Sequence, residues 1–296
     1  MNIDKVVFST SEAFSVCWNL NSKLYKTKLG IEPVCLLFGQ KSNTDMSDEY
    51  GQIIEMPINP NFPLLIQITW SKFFHPTTEL DKTWLIGDID LFPLQTYWFK
   101  DKIKDINENN YVHLDADGIV QLSGSPYKWA NKTMDELNPI YQGHATNMPA
   151  HYHVAKGQTF KTVLNTIGSF EEEISHIVRS GSYNGTRAFR ESDPINQNNL
   201  WCAEELRSTE LIRNAVVNRT VNFTGLHLRN GIGHGNGDRI DRSTLKCEES
   251  NKEVNSDYKY DETRLKNGEY VDLHAARPFL KYMSQTENVL KLAGMI

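Results

Sequence analysis

The chain has 296 residues, 39% hydrophobic and 23% charged, a balance that excludes a fibrous or disordered protein and suits one large α/β domain. A formal net charge of −6 and a pI near 5.9 exclude a tracker of nucleic-acid phosphates, which needs a basic face. Four scattered cysteines without a Cys-x-x-Cys pair argue against zinc clustering and read as reduced thiols, and no apolar window approaches the ~18 residues of a membrane span.

The N-terminal MNIDKVVFSTSEAF runs directly into a strand-like stretch with no signal-peptide pattern, so the chain reads as cytoplasmic. KVVFST at 5–10 is a first buried strand, VCLLFG at 34–39 a second and IIEMPI at 53–58 a third. LLIQITWSKFFH at 64–75 places apolar residues at helical spacing, and Pro76 ends that helix. TWLIGDID is a further buried strand whose apolar run stops abruptly at two carboxylates, Asp88 and Asp90. YVHLDADGIVQLSG predicts two strands around a DADG turn, and a short strand leads to a helix starting near Gly157. Helices follow over 169–182 and after the polar stretch 183–200, whereas the segment beyond 225 is glycine-rich and charged, a surface loop with some β content. Strands alternating with helices predict a mostly parallel sheet in one domain, 1–296, with no convincing linker.

In open α/β sheets ligands bind beyond the carboxyl ends of strands, where Asp88 and Asp90 stand. Two carboxylates there suit Mg2+ or Mn2+, hard cations that share phosphate oxygens with a bound nucleotide. Asp115-Ala116-Asp117 is a rival for the metal, although Gly118 behind it also makes DADG a hairpin turn.

The run KFFHPTTELDKTWLIGDIDLFPL resembles the donor-site core of nucleotide-sugar-dependent glycosyltransferases of the GT-A fold, in particular small soluble viral or bacterial ones. AHYHVAKGQTF at 150–160 is similar to the segment that leads into their acceptor-side helix, and the two parts together cover about 100 residues of the 296. The resemblance implies a GT-A (Rossmann-like) α/β fold, with a donor-binding half over about 1–125 and an acceptor-binding half over about 126–296. It implies a hexosyl- or pentosyltransferase that takes a nucleotide-sugar donor, a glycan or other hydroxyl acceptor, and Mn2+ or Mg2+. Asp90, Asp88 and His274 would hold the metal, with Asp88 on the ribose or a metal water and Asp272 a weaker candidate. Ser9, Thr10, Arg239 and Arg277 would meet the nucleotide and diphosphate; His151, His153 and Trp201 would line the acceptor side.

WCAEELRSTELI resembles the W-x-x-[DE]-[DE] element whose second acid serves inverting enzymes as general base, which puts Glu205 ahead of Glu204. Both acids also suit a helix N-terminus as dipole partners. GIGHGNGDRIDR at 231–242 lacks a Walker pattern; it reads as a floppy surface loop, or as a lid closing through Arg239 or Arg242. A retaining transferase, a two-metal nucleotidyltransferase or phosphohydrolase, and a cation-holding binding module remain as alternatives.

Overall fold

β1 (Lys5–Ser11) carries Val6, Val7 and Phe8, all without solvent exposure, which only a strand covered on both faces permits. It pairs in parallel with β2 (Glu32–Phe38), and β2 with β3 (Gln52–Met56). Between them the chain makes a 3-10 turn, Glu12–Cys17, and α1 (Trp18–Leu24); after β3 comes α2 (Leu64–Phe74). Pro76 sits in the 3-10 turn His75–Thr78 that takes over from α2, as expected of a residue with no N–H to continue a helix. β4 (Thr83–Ile86) then pairs in parallel with the other side of β1.

The computed structural model describes residues 1–115, 148–164, 168–180, 203–226, 237–247 and 260–296. The remaining elements are β5 (Leu91–Pro93), β6 (Tyr111–His113), β7 (His153–Lys156), α3 (Gly157–Leu164), α4 (Phe170–Ser180) and α5 (Ala203–Val217). β8 (Phe223–Gly225), β9 (Arg239–Ile240), α6 (Arg242–Cys247), α7 (Glu262–Lys266), β10 (Asp272–His274) and α8 (Met283–Leu292) complete it. Among the described residues the central sheet has seven strands in the order β3-β2-β1-β4-β7-β6-β8, and only β7 runs against its neighbours. The fold class is therefore the expected one, α/β with a mostly parallel central sheet flanked by helices.

Alternate residues of each strand feed two cores, one on each face, as the two-residue period requires. Val6, Phe8, Cys35, Leu37 and Leu85 pack with α1, β5, β10 and the C-terminal Val289, Leu290 and Met295. Val7, Val34, Leu36, Trp84 and Ile86 pack on the other face with Trp70 and Phe73 of α2, Phe160, Ile174 and Leu211. Cys17 and Cys35 are free and buried, and burial pushes both thiols up, consistent with inert reduced cysteines. No helix of the described residues is long and apolar enough to cross a membrane.

One sequence expectation is covered only in part. The strand over 111–113 pairs with β7 and β8; the second strand expected after DADG falls in 116–147, outside the described residues.

Candidate functional site

The site begins where β4 ends. Gly87 follows Ile86 and lies so close to β1 that an added Cβ would stand 2.5 Å from Phe8 Cε1, so only glycine lets the chain pass. Its N–H still bonds the Val7 carbonyl at 2.9 Å, after which a turn through Ile89 and Asp90 closes with the Leu91 N–H on the Asp88 carbonyl at 3.0 Å. Asn21 of α1 fixes that turn by donating to the carbonyls of Ile89 and Leu91 at 3.0 and 3.1 Å. β5 then leaves the central sheet and pairs antiparallel with β10, with Leu91 opposite His274. The two aspartates thus straddle the passage from one sheet to the other.

Asp90 belongs to the second sheet. The Ala275 N–H bonds its carbonyl at 2.8 Å, and Oδ2 accepts from Arg277 Nε and a terminal guanidinium nitrogen at 3.0 and 2.6 Å. His274 Nε2 lies 3.5 Å from the same oxygen, and its Nδ1 lies 3.9 Å from Asp241. Burial opposes the charge on Asp90, but His274 and Arg277 outweigh it and hold the carboxyl well below the usual range.

Asp88 faces the central sheet. Lys72, from α2, forms an ion pair with Oδ1, and His151 Nδ1 lies 3.5 Å from Oδ2. Burial again opposes ionisation, and Lys72 and then His151 hold the pKa down. The other ring nitrogen of His151 lies 3.1 Å from Oδ2 of the fully buried Asp115, whose carboxyl stays at about 2 despite its burial. Arg239 sits 3.4 Å from Asp115 and bonds both oxygens of Asp272 at 2.6 and 2.8 Å. Tyr152 donates to Asp272 at 2.5 Å.

Several expected site residues therefore fall into two clusters: Asp88, His151 and Arg239 are joined through Asp115, and Asp90, His274 and Arg277 form the other. Ser9 and Thr10 lie at the carboxyl end of β1; Thr10 is buried, with its hydroxyl donating to the Ser11 carbonyl at 3.1 Å. His151 lies between the carboxylates of Asp88 and Asp115. His153 is core: Tyr111 donates to its Nδ1 at 3.0 Å, and its Nε2 donates to the Pro149 carbonyl at 2.8 Å. His113 donates to that same carbonyl at 3.1 Å, and burial lowers both histidines, His113 to about 4, so both rings are neutral near pH 7. Asp115 is no solvated turn residue, and Arg239 is anchored on Asp272. Asp272, the weaker metal candidate, is engaged by Arg239 and Tyr152. Trp201 and Asp117 lie outside the described residues, as does most of the glycine-rich segment.

Glu204 and Glu205 open α5, as expected. Oε2 of Glu204 is shut off from solvent without a hydrogen-bond partner, and burial followed by the neighbouring Glu205 pushes its pKa up to about 8. The sequence reading missed Lys72, although a lone charge within the mostly apolar helix LLIQITWSKFF was the signal to follow. It also missed Tyr152, a fully buried non-glycine residue at φ 65°.

The chain matches no family model and no curated protein. Among solved structures it is similar to the galactosyltransferase LgtC in complex with donor and acceptor sugar analogs, at 12% identity, covering 99% of this chain and 96% of that one, TM-score 0.43. It is similar to the apo form of the glycosyltransferase GlyE of Streptococcus pneumoniae at 10% identity, covering 98% of this chain and 63% of that one, TM-score 0.43. The apo bifunctional glycosyltransferase WbbM follows at 10% identity, 99% and 52% coverage and TM-score 0.40, so the chain spans about half of that protein. The solved structures named here are all glycosyltransferases, and likenesses this distant assign no residue and no activity.

Proposed function

We propose that the chain is a GT-A-like glycosyltransferase that moves a sugar from a nucleoside-diphosphate donor to an acceptor hydroxyl with inversion, in one catalytic domain over 1–296. The observation that carries the reading is the convergence of Asp88 and Asp90, at the end of a central strand, with His274 and Arg277 from the far end of the sequence. That is the edge of an α/β sheet where nucleotides bind.

The donor set suits a divalent cation such as Mn2+ or Mg2+. Oδ2 of Asp90 and Nε2 of His274 are 3.5 Å apart, close to the roughly 3.0–3.5 Å between neighbouring ligands on one cation with bonds near 2.1 Å. Among the described residues no group of three acids, histidines or cysteines forms, so the protein offers a partial shell. Mg2+ and Mn2+ accept such shells, taking phosphate oxygens and water for the rest. Bound there, the ion supplies charge neutralisation to the departing diphosphate. Arg277, already on Asp90, directs a guanidinium at the same charge.

Glu204 is the better base of the pair. A carboxylate with an unpartnered oxygen and a pKa of about 8 accepts a proton from an attacking hydroxyl far more readily than an ordinary glutamate. It also lies within electrostatic reach of Lys72 and Asp88, the donor-side pair. The test is transfer and donor hydrolysis across a panel of nucleotide sugars with Mn2+. The reading expects turnover with one donor, lost in both Asp90→Asn and Glu204→Gln. An enzyme dead as Asp90→Asn but unaffected by Glu204→Gln and Glu205→Gln together retains configuration instead, and no turnover with any donor removes the transferase reading.

A further inference from the structure

His151 and His153 are two residues apart, and in a regular strand they would share a face. Tyr152 prevents this. Its backbone is left-handed at φ 65°, a conformation that a fully buried tyrosine keeps only where its surroundings over-determine it. Three fixings do so: its N–H bonds Ile86 at 2.6 Å, its carbonyl accepts from Leu114 at 2.9 Å, and its hydroxyl donates to Asp272 at 2.5 Å. The first ties it to the end of β4, two residues before Asp88, the second to the residue after β6, just before Asp115. The reversal sends His153 into the core against Phe73 and His113, and turns His151 into the gap between Asp88 and Asp115.

There the ring has a carboxylate on each side, at 3.5 Å from Nδ1 and 3.1 Å from Nε2. Arg239 also approaches Nε2, at 3.1 Å. Arg239 and His151 Nε2 both reach the same Asp115 oxygen, at 3.4 and 3.1 Å. Asp115 is therefore held from the Arg239 side and Asp272 behind it, and it passes that rigidity through the imidazole to Asp88.

We propose that His151 is a positioning residue of the donor site, a bridge that fixes the orientation of Asp88 from Asp115, with the left-handed Tyr152 as the device that aims it. The proposal rests on Asp88 serving the donor diphosphate, and it takes His151 out of the acceptor surface. It makes Asp115 a structural anchor of the site and removes it as a rival metal ligand.

The test compares His151→Leu, His151→Gln and Asp115→Asn with the wild type. Ligand-free crystal structures of each report where the Asp88 carboxylate points. Calorimetry with ADP, CDP, GDP and UDP in Mn2+ reports diphosphate affinity, and steady-state kinetics separates donor from acceptor KM. In His151→Leu, Asp88 turns away and the Kd of the nucleotide that the wild type binds rises ~10-fold to ~100-fold, the range for losing a bond to a charged group. Acceptor KM does not change, and His151→Gln, which keeps a donor group, recovers most of the loss. If the His151→Leu variant proves too disruptive to fold, Asp115→Asn still predicts a displaced ring and a weaker diphosphate. An unmoved Asp88 with unchanged diphosphate affinity overturns the proposal, as does a rise in acceptor KM alone. If the wild type binds none of the four nucleotides, the donor reading fails, while the ligand-free structures still decide whether His151 fixes Asp88.

Discussion

Asp88 and Asp90 are two residues apart and yet live in different surroundings. Asp88 sits at the edge of the central sheet with a third of its side chain exposed, held by Lys72 from a helix on one face and by a buried histidine. Asp90 is nearly closed off and is held by Arg277 and His274, both delivered by β10 and the segment after it. The turn between them hands the chain from one sheet to another, so the pair is assembled by two scaffolds. A short acidic motif thus conceals two separately supported groups. In the proposed function these divide the work, with the direct ligand on the rigid, buried side and the more exposed acid toward the nucleotide.

The largest effect expected from breaking this pairing is on the buried side. Asp90→Asn strips the charge that Arg277 and His274 address; turnover of donor should fall by ~10²–10³, the usual loss when one charge-stabilising group is removed from an active site. Single-turnover donor hydrolysis measures it. On the exposed side, Lys72→Met keeps the packing of α2 but leaves Asp88 without its cation. Because a third of Asp88 faces water, solvent compensates in part, and donor KM should rise only ~10-fold with kcat little changed. Equal losses in the two variants would erase the distinction between the sides.

Gly87→Ala strikes both at once. The new Cβ would press on the Phe8 ring, 2.5 Å from Cε1 and 2.9 Å from Cδ1, and on Val6 at 3.1 Å, all in the best-packed part of the sheet. Thermal unfolding should show a loss of about 1–3 kcal/mol, as for other overpacked cores.

The last effect is a pH dependence. Glu204 has a folded pKa of about 8, raised from an ordinary value of about 4.3. Because the folded state holds a proton that the unfolded chain releases, stability falls as pH rises through that window and levels off above it. Glu204→Gln should flatten this decline in the melting temperature, and should also remove a rise in activity that the wild type shows as Glu204 ionises near pH 8. Coincident stability curves for the two proteins would show that Glu204 is not buried as a neutral acid.

How far the sequence reached follows from the range of each interaction. Local patterning was legible: the buried runs at 5–10, 34–39 and 83–86, the helix stopped before Pro76 and the abrupt stop at Asp88 stand close to where periodicity put them. Asp90 and His274 were named from motif resemblance, and the β5–β10 register, with Leu91 opposite His274, is what makes them neighbours. The environment of His151 was beyond reach because it depends on a left-handed tyrosine that no residue pattern announces. The burial of Asp115 was beyond reach for a related reason: only the arrival of His151 and Arg239 from distant segments makes it tolerable. The motif resemblance put Glu205 ahead of Glu204, whereas the proposed function favours Glu204 because of its burial, which a helix start does not reveal.

The central claim is that the carboxyl end of β4 binds a nucleoside diphosphate together with a divalent cation. A thermal-shift screen of nucleoside diphosphates and nucleotide sugars, with and without Mn2+, tests it directly, since a ligand that binds only the folded state raises the melting point. The account predicts a shift for one nucleotide that requires Mn2+ and disappears in Asp90→Asn. A shift of the same size in Asp90→Asn, or none with any nucleotide, would contradict it.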